Sequence, residues 1–549
     1  MKKSKSSIIG SIIALLLTLL FAWILNYLVL PAITLKSVGF WLYLLGVSLF
    51  GIMFFAIPAY ESEEGQIGKI GFVFTTIVAC IIILALVIGG ISSAKIFSSD
   101  KYQQIADVEV KEFNEDFQDI VTNDIPVATI DVGTAQKVGD RTIGKLEHAS
   151  WFEVDSEFNL IKYQGEYYRL SPLNYGGLFK YNRAKKDGLP GYILVNSKTS
   201  EAKFIEVDGG YEYSPSAYFS KDLKRHLRSQ YSNYILGKSF LEIDEAGKPY
   251  WVTAVKEPTI GFWGGIVEKR FIITDAKTGA SEEYTLDNIP EWIDHAFSLD
   301  YLMETTRWHY EYINGFWNFS KTGVYRTSYE YRDSGEESGE FYAGYNSIIN
   351  KDGDICFYAG LTPANIAESN VGFILINTRT GKVTQYDCSG AEESSAQEAA
   401  EGLVQNLGYK ATFPTVLNIG GEETYLMCLK DKAGLIQRYA LCNIENYAIV
   451  VESDSLENAI QEYLSKLGKN VDLVDSNNKQ KAEIKGKILD IYTAQIDGTT
   501  YFYYLMEDNN LYKSSIKTNE MQILLRKDSE VTIDYEVSDG IRNVLNLKF

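Results

Sequence analysis

Histidine is almost missing: four residues, His148, His226, His295 and His309, occur in a chain of 549. None belongs to an HExxH pair, and no GxSxG elbow or phosphate-cradling P-loop is present. The common zinc-protease, serine-hydrolase and nucleotide-binding chemistries therefore lack their core residues. Cysteine is scarce too. Cys80 lies in an apolar run, while Cys356, Cys388, Cys428 and Cys442 sit in strand-like runs without a CxxC pair or a Cys/His cluster. That pattern argues against a structural zinc site and reads as buried free thiols. No motif asks for a metal or a cofactor. Positive charge is in deficit: 52 Lys and Arg face 72 Asp and Glu, a formal net charge of −20. The first 95 residues are slightly positive, so the acidity belongs to the rest, and such a surface repels nucleic acid. No nucleic-acid partner is expected.

Charge is absent altogether from Ile8–Leu30, Val38–Ala59 and Ile70–Ala94. Each run supplies the roughly 20 apolar residues that a helix needs to cross a bilayer core. Residues 1–97 thus read as a three-helix transmembrane anchor whose partner is membrane lipid. Lys2, Lys3 and Lys5 precede the first run and Lys69 the third, which favours a cytoplasmic N-terminus, although Lys95 and Lys101 oppose it. Three crossings then leave the large remainder outside the cytoplasm. The spans hold no internal charge for an ion path, while Gly39, Gly46 and Gly51 suit helix packing.

Beyond the anchor a turn recurs between apolar strands. It reads Gly191-Tyr-Ile-Leu-Val-Asn196-Ser-Lys-Thr199-Ser, then Arg270-Phe-Ile-Ile-Thr-Asp275-Ala-Lys-Thr278-Gly, then Gly372-Phe-Ile-Leu-Ile-Asn377-Thr-Arg-Thr380-Gly. An Asx side chain bonds the backbone two residues on and a closing glycine supplies positive φ, so each copy predicts a β-hairpin. Helices are expected from Ser214-Pro215 to Gly237, after a Ser395/Glu398 capping box, over Leu456–Leu467, and across Pro290–Tyr312.

A helix followed by a meander that closes on an Asp/Asn-x-Lys/Arg-Thr-Gly/Ser turn resembles the PepSY-type module of bacterial envelope proteins. The resemblance covers about Val108 to Leu467 as several units. Asn196 and Asn377 replace the usual aspartate, and Ser200 replaces the glycine. It implies extracytoplasmic interaction or inhibitory modules, with no catalytic residues to carry over. The expected divisions are an α+β region over 98–260, a second over 261–390 and a third unit over 391–470.

After a polar linker, residues 482–549 predict five strands: Ile484–Tyr492, Thr500–Met506, Met521–Leu525, Glu530–Val537 and Asn543–Phe549. Five short strands resemble an OB-like barrel. Nine basic against eleven acidic residues from Lys481 onward leave it no basic groove for single strands.

Several patterns invite a sharper reading. Lys277-Thr-Gly279 and Lys321-Thr-Gly323 match a penicillin-binding element, yet turns explain them and the SxxK partner Ser92 ends a membrane span. Asn350-Lys-Asp352-Gly-Asp354 hints at a calcium loop without its closing glutamate. Two binding candidates remain. Arg225 and Arg228, with Lys221 and Lys224, form a basic strip suited to an anionic partner or another part of the same chain. Trp292, Trp308, Tyr310, Tyr312, Phe316 and Trp317 gather aromatics into one short region, which either anchors a ligand or lies beneath the sheet. The expectation is a membrane-anchored α+β protein that is not an enzyme and binds, regulates or scaffolds another component of the cell envelope, with an envelope protein as the expected partner. Alternatives are a carboxylate-dependent cell-wall glycan enzyme and an accessory subunit of a transport complex.

Overall fold

A computed structural model describes the chain apart from residues 1, 61–65, 124, 145, 147, 331–343, 366–369, 470–480, 497–498, 517 and 539–540. It divides into two units, residues 1–120 with 125–471, and residues 121–124 with 472–549.

The first unit begins with α1 (Lys2–Val29), α2 (Val38–Tyr60) and α3 (Gln66–Ser92). All three are long and apolar enough to cross a membrane. They pack through small residues and rings: Gly51 faces Thr18 and Thr75, and Phe21 stacks on Phe50 at 3.7 Å. Helix α4 (Lys95–Gln103) leads to β1 (Val108–Lys111) and the short α5 (Phe113–Asp116).

Four modules of a helix and an antiparallel meander follow. Module one holds α6 (Val132–Ile143), β2 (Phe152–Val154), β3 (Asn159–Tyr163), β4 (Glu166–Tyr175), α7 (Leu178–Ala184), β5 (Leu189–Asn196) and β6 (Ala202–Tyr211). Module two holds α8 (Leu223–Gln230), β7 (Ile235–Ile243), β8 (Pro249–Ile260), β9 (Gly264–Asp275) and β10 (Ser281–Thr285). Module three holds α9 (Leu299–Glu311), β11 (Tyr325–Thr327), β12 (Asn346–Ile349), β13 (Ile355–Pro363), β14 (Asn370–Asn377) and β15 (Val383–Gly390), and β1 joins β15 in parallel. Module four holds α10 (Glu393–Leu403), β16 (Lys410–Ala411), β17 (Thr415–Ile419), β18 (Glu422–Lys430), β19 (Ile436–Asn443) and β20 (Val450–Ser453), followed by α11 (Leu456–Lys466).

The three expected hairpins are present as β5–β6, β9–β10 and β14–β15. In each, the Asx side chain accepts from the amides two and three residues on: Asn196 from Lys198 and Thr199, Asp275 from Lys277 and Thr278, Asn377 from Arg379 and Thr380. Gly279 and Gly381 close their turns at φ 77° and 72°, and Ser200 takes the same left-handed backbone at φ 61°. A fourth copy ends β19, where Asn443 accepts from the Asn446 amide.

The residue after each Asx is a node. The Ser197 amide donates to the Tyr167 carbonyl, and the Ser197 carbonyl accepts from the Thr129 and Ile130 amides, all at 3.0 Å. Ala276 repeats this with Pro249 and with Glu212 and Tyr213; Thr378 does so with Ile355 and with Ala296 and Phe297. Ile444 pairs with Glu423 and with Ala391. These backbone groups lie past the strand ladders and find partners in the segment leading into the module's own helix.

Helices α8, α9 and α10 bridge neighbouring sheets. Leu223 and Leu227 of α8 join a core with Leu173 and Leu194 of module one and Trp251 and Ile272 of module two. Leu302 and Met303 of α9 sit between Ala254 and Phe271 on one side and Ala359 and Ile374 on the other. Ala396 and Ala400 of α10 meet Tyr358, Phe373, Tyr425 and Met427. Module four returns to module one through Lys430 and Asp131 at 2.6 Å, and burial opposed by that lysine leaves Asp131 below the usual carboxylate range.

Several expectations need correction. The helix beginning at Ser214 does not form: Ser214 accepts from the Ser216 amide in a local turn, Phe219 is left-handed at φ 57°, and α8 starts after Asp222, which caps the Arg225 amide. Gly237 belongs to β7. Helix α10 starts before Ser395, because Glu393 is buried and accepts from the Tyr358 hydroxyl at 2.8 Å, drawing the first turn inward. Pro290–Phe297 is irregular, opening with a turn in which the Ile293 amide donates to the Pro290 carbonyl, its last amides engaged by Thr378, and α9 begins after the Ser298 cap. The expected 260/261 division falls inside a hairpin, since β8 and β9 pair across it. Cys356, Cys388, Cys428 and Cys442 are free and buried.

The second unit is a closed barrel of β21 (Lys481–Ile496), β22 (Thr499–Met506), β23 (Leu511–Ser515), β24 (Glu530–Ser538) and β25 (Ile541–Lys548), ordered β21-β22-β23-β25-β24. Met521–Leu524 is not the third strand. A turn at Asn509 (φ 62°) sends Leu511–Ser515 back along β22, and Gln522 binds the Tyr504 hydroxyl and the Ser515 carbonyl, holding residues 520–524 in a helical turn.

Candidate membrane-proximal site

The C-terminal ends of α1 and α3 meet modules two and three. A helix C-terminus leaves carbonyls without intrahelical partners and carries partial negative charge. Arg225 and Arg228 lie three residues apart on α8 and supply those partners. Arg225 donates to the Tyr27 carbonyl at 2.9 Å, its guanidinium 3.9 Å from the Tyr27 ring centroid. Arg228 donates to Leu30 at 3.2 Å and also to the carbonyls of Tyr231, Ser232 and Tyr234. Burial holds the Arg228 guanidinium below its ordinary value, though it stays charged at neutral pH. The basic strip thus docks another part of the same chain.

The β8–β9 hairpin tip reaches the end of α3. Gly261 is left-handed at φ 60°, and a Cβ there would collide with the Ser92 carbonyl. Trp263 lies against Gly89, one turn inside α3; its amide donates to the Ser93 hydroxyl at 2.9 Å and its indole to the Leu35 carbonyl at 3.2 Å. Lys36 donates to the Pro258 carbonyl at 3.2 Å. Trp263, Gly261 and Lys36 were not singled out from sequence, although Gly261-Phe-Trp-Gly264 between two apolar strands carries a readable signal: aromatics at a glycine-bracketed tip.

Module three arrives by a different route. The Tyr102 hydroxyl of α4 donates to Ser93 at 2.7 Å, and Tyr102 meets Trp308 edge-on at 4.9 Å. Lys95 stands 5.2 Å from the Trp308 ring centroid, its pKa lowered first by burial and then by Arg307. The aromatic cluster therefore splits. Trp308, Tyr310 and Tyr312 are core, at 5%, 2% and 5% exposure, whereas Trp317 is 62% and Phe319 83% exposed. Trp292 is half-buried against Tyr250.

Between α9 and the segment after it opens a cavity of about 890 Å³ lined by Asp300, Glu304, Glu311 and Glu330, by Arg307, Lys321 and Arg326, and by aromatics including Phe316 and Phe319. Burial raises the Glu330 carboxyl. Asp300 accepts from the Tyr329 hydroxyl at 2.8 Å, and Arg307 faces Glu304 at 3.6 Å. No family model matches this chain, and no curated protein does. A second buried cluster joins modules one to three: Glu242 stands 3.3 Å from His295 Nδ1, and Asp294 accepts from the Lys162 amide at 2.6 Å. Burial pushes Glu242 up to about 8 and Asp294 to about 7, and lowers His295 to about 4. Glu242 and His295 are buried and Asp294 is half-buried, which suits a structural seam more than a place where substrate meets acid and base.

Proposed function

We propose that this chain is a membrane-anchored protein of the cell envelope whose body, outside the cytoplasm, binds, regulates or scaffolds another envelope protein. The observation that carries the reading is the fourfold module: a helix, a meander and an Asx turn whose following residue holds the helix's lead-in. That pattern supports PepSY-like interaction units, and the barrel order β21-β22-β23-β25-β24 supports an OB-like terminus. Lys2, Lys3 and Lys5 at the start of α1, together with three membrane-length helices, support that orientation. Protease added to intact cells should remove the body, and crosslinking before solubilisation should recover a protein partner. A reporter after Phe549 active only in the cytosol would sink the orientation.

A second reading, glycan hydrolysis, draws on the four carboxylates lining the cavity, with the Glu330 carboxyl raised as a general acid requires. Hydrolysis of cell-wall material that disappears with Glu330→Gln would favour it; full retention in that variant would exclude Glu330 as the acid.

A further inference from the structure

We propose that the segment following α9, through Ile313, Phe316, Trp317 and Phe319, seats in the headgroup region of the same bilayer that α1–α3 cross. The inference rests on the membrane-anchored reading and extends it from the helices to the body. The patch is apolar and open: Trp317 and Phe319 follow Ile313 and Phe316, each 41% exposed, in one short segment. Contiguous exposed aromatics on a folded protein mark a surface that is normally covered.

Continuity with the spans identifies the cover. Lys95, three residues after the last residue of α3, lies against Trp308, so the C-terminal half of α9 stands level with the end of the span. An unbroken set of ring contacts leads outward from there: Tyr102 to Tyr312 at 6.5 Å, Tyr312 to Phe316 at 6.2 Å, Phe316 to Trp317 at 5.3 Å, Trp317 to Phe319 at 5.7 Å. On the other flank Trp263 already sits against Gly89 inside the span. Aromatic side chains favour this depth because the rings are apolar while their edges, and the indole N–H, reach water and headgroups. Mixed charge beside the patch, Arg307 and Lys321 with Glu304 and Glu311, fits zwitterionic headgroups and needs no anionic lipid.

Full-length protein lacking the exposed Cys80 (C80S) offers a direct test, since the other four cysteines are buried. Single cysteines at Phe319 (F319C), at the lipid-facing Leu28 of α1 (L28C) and at Phe179 of module one (F179C), 85% exposed, would carry an environment-sensitive fluorophore in phosphatidylcholine nanodiscs. With headgroup-spin-labelled lipid, the Leu28 and Phe319 sites should lose most of their emission and the Phe179 site should keep it. Quenching at Leu28 without quenching at Phe319 overturns this proposal and leaves the anchor standing. Quenching at neither site overturns both. Shielding of Phe319 from an aqueous quencher in nanodiscs without quenching by the spin-labelled lipid means that protein covers the patch, and also overturns it.

Discussion

Modules two and three share a helix, a meander and an Asx-turn node, yet they meet the three membrane-length helices by opposite chemistry. Module two uses polar anchors: two arginines on the carbonyls of α1, and a hairpin tip bonded to Ser93 and Leu35. Module three uses rings, with Trp308 and Tyr312 packed on Tyr102 and the exposed patch beyond them. The difference lies between helix and first meander strand. Module two crosses that gap in residues 231–234, whereas module three spends 312–324 there. A repeated scaffold fixes where such a segment emerges, and the segment itself decides what it meets.

The contrast can be broken at several points. Trp308→Ala, which removes a fully packed indole, should cost about 3–5 kcal/mol in denaturant unfolding; a change near zero would mean that packing does not secure module three. Arg228→Ala deprives four carbonyls of a charged donor and should cost about 1.5–3 kcal/mol, read as faster proteolysis within 30–37. Arg228→Lys should rescue little, because one ammonium cannot span the guanidinium's several acceptors.

The seam between these modules should respond to pH. Glu242 and Asp294 have folded pKa values raised to about 8 and about 7, from ordinary values of 4.5 and 3.8. The fold favours their protonated forms, a contribution complete below those ordinary values and lost as pH rises through 7 and 8. His295, lowered to about 4 from 6.5, contributes fully above 6.5 and loses that contribution as pH falls toward 4. From pH 6.5 to 8 the acids alone act, so the melting temperature should fall across that window and Glu242→Gln should flatten the fall. The smallest effect belongs to module one's turn. Ser200→Gly should relieve left-handed strain and raise stability by about 1 kcal/mol, while Gly381→Ser should lower it by a similar amount in a melting curve.

Local chemistry was legible and tertiary choice was not. The three membrane-length helices, the Asx hairpins and α11 behind its Ser455 cap follow from runs, spacing and capping residues. Ser214 and Ser395 carried the right composition for caps, but Phe219's backbone and Glu393's burial set the real helix starts. Met521–Leu525 had a strand's apolar content; Gln522's bonds to β22 and β23 overruled it. The aromatic cluster could not be divided from sequence, since Trp308 and Trp317 are the same side chain and only packing on Tyr102 separates them. Arg225 and Arg228 were visible as a strip, while their acceptors at Tyr27 and Leu30 lie 198 residues away in the chain. The nodes at Ser197, Ala276, Thr378 and Ile444 share no residue type, because backbone atoms make them.

Those nodes also bear on how the chain is made. A ribosome releases each module's helix well before the carbonyl that will hold its lead-in, so every nascent helix must wait, unsecured, until its closing turn has emerged. Folding during translation would then advance in four discrete clicks, each locking one helix retroactively. A stalled chain ending just short of Ser197, Ala276, Thr378 or Ile444 would carry one loose helix, open to a chaperone or a protease.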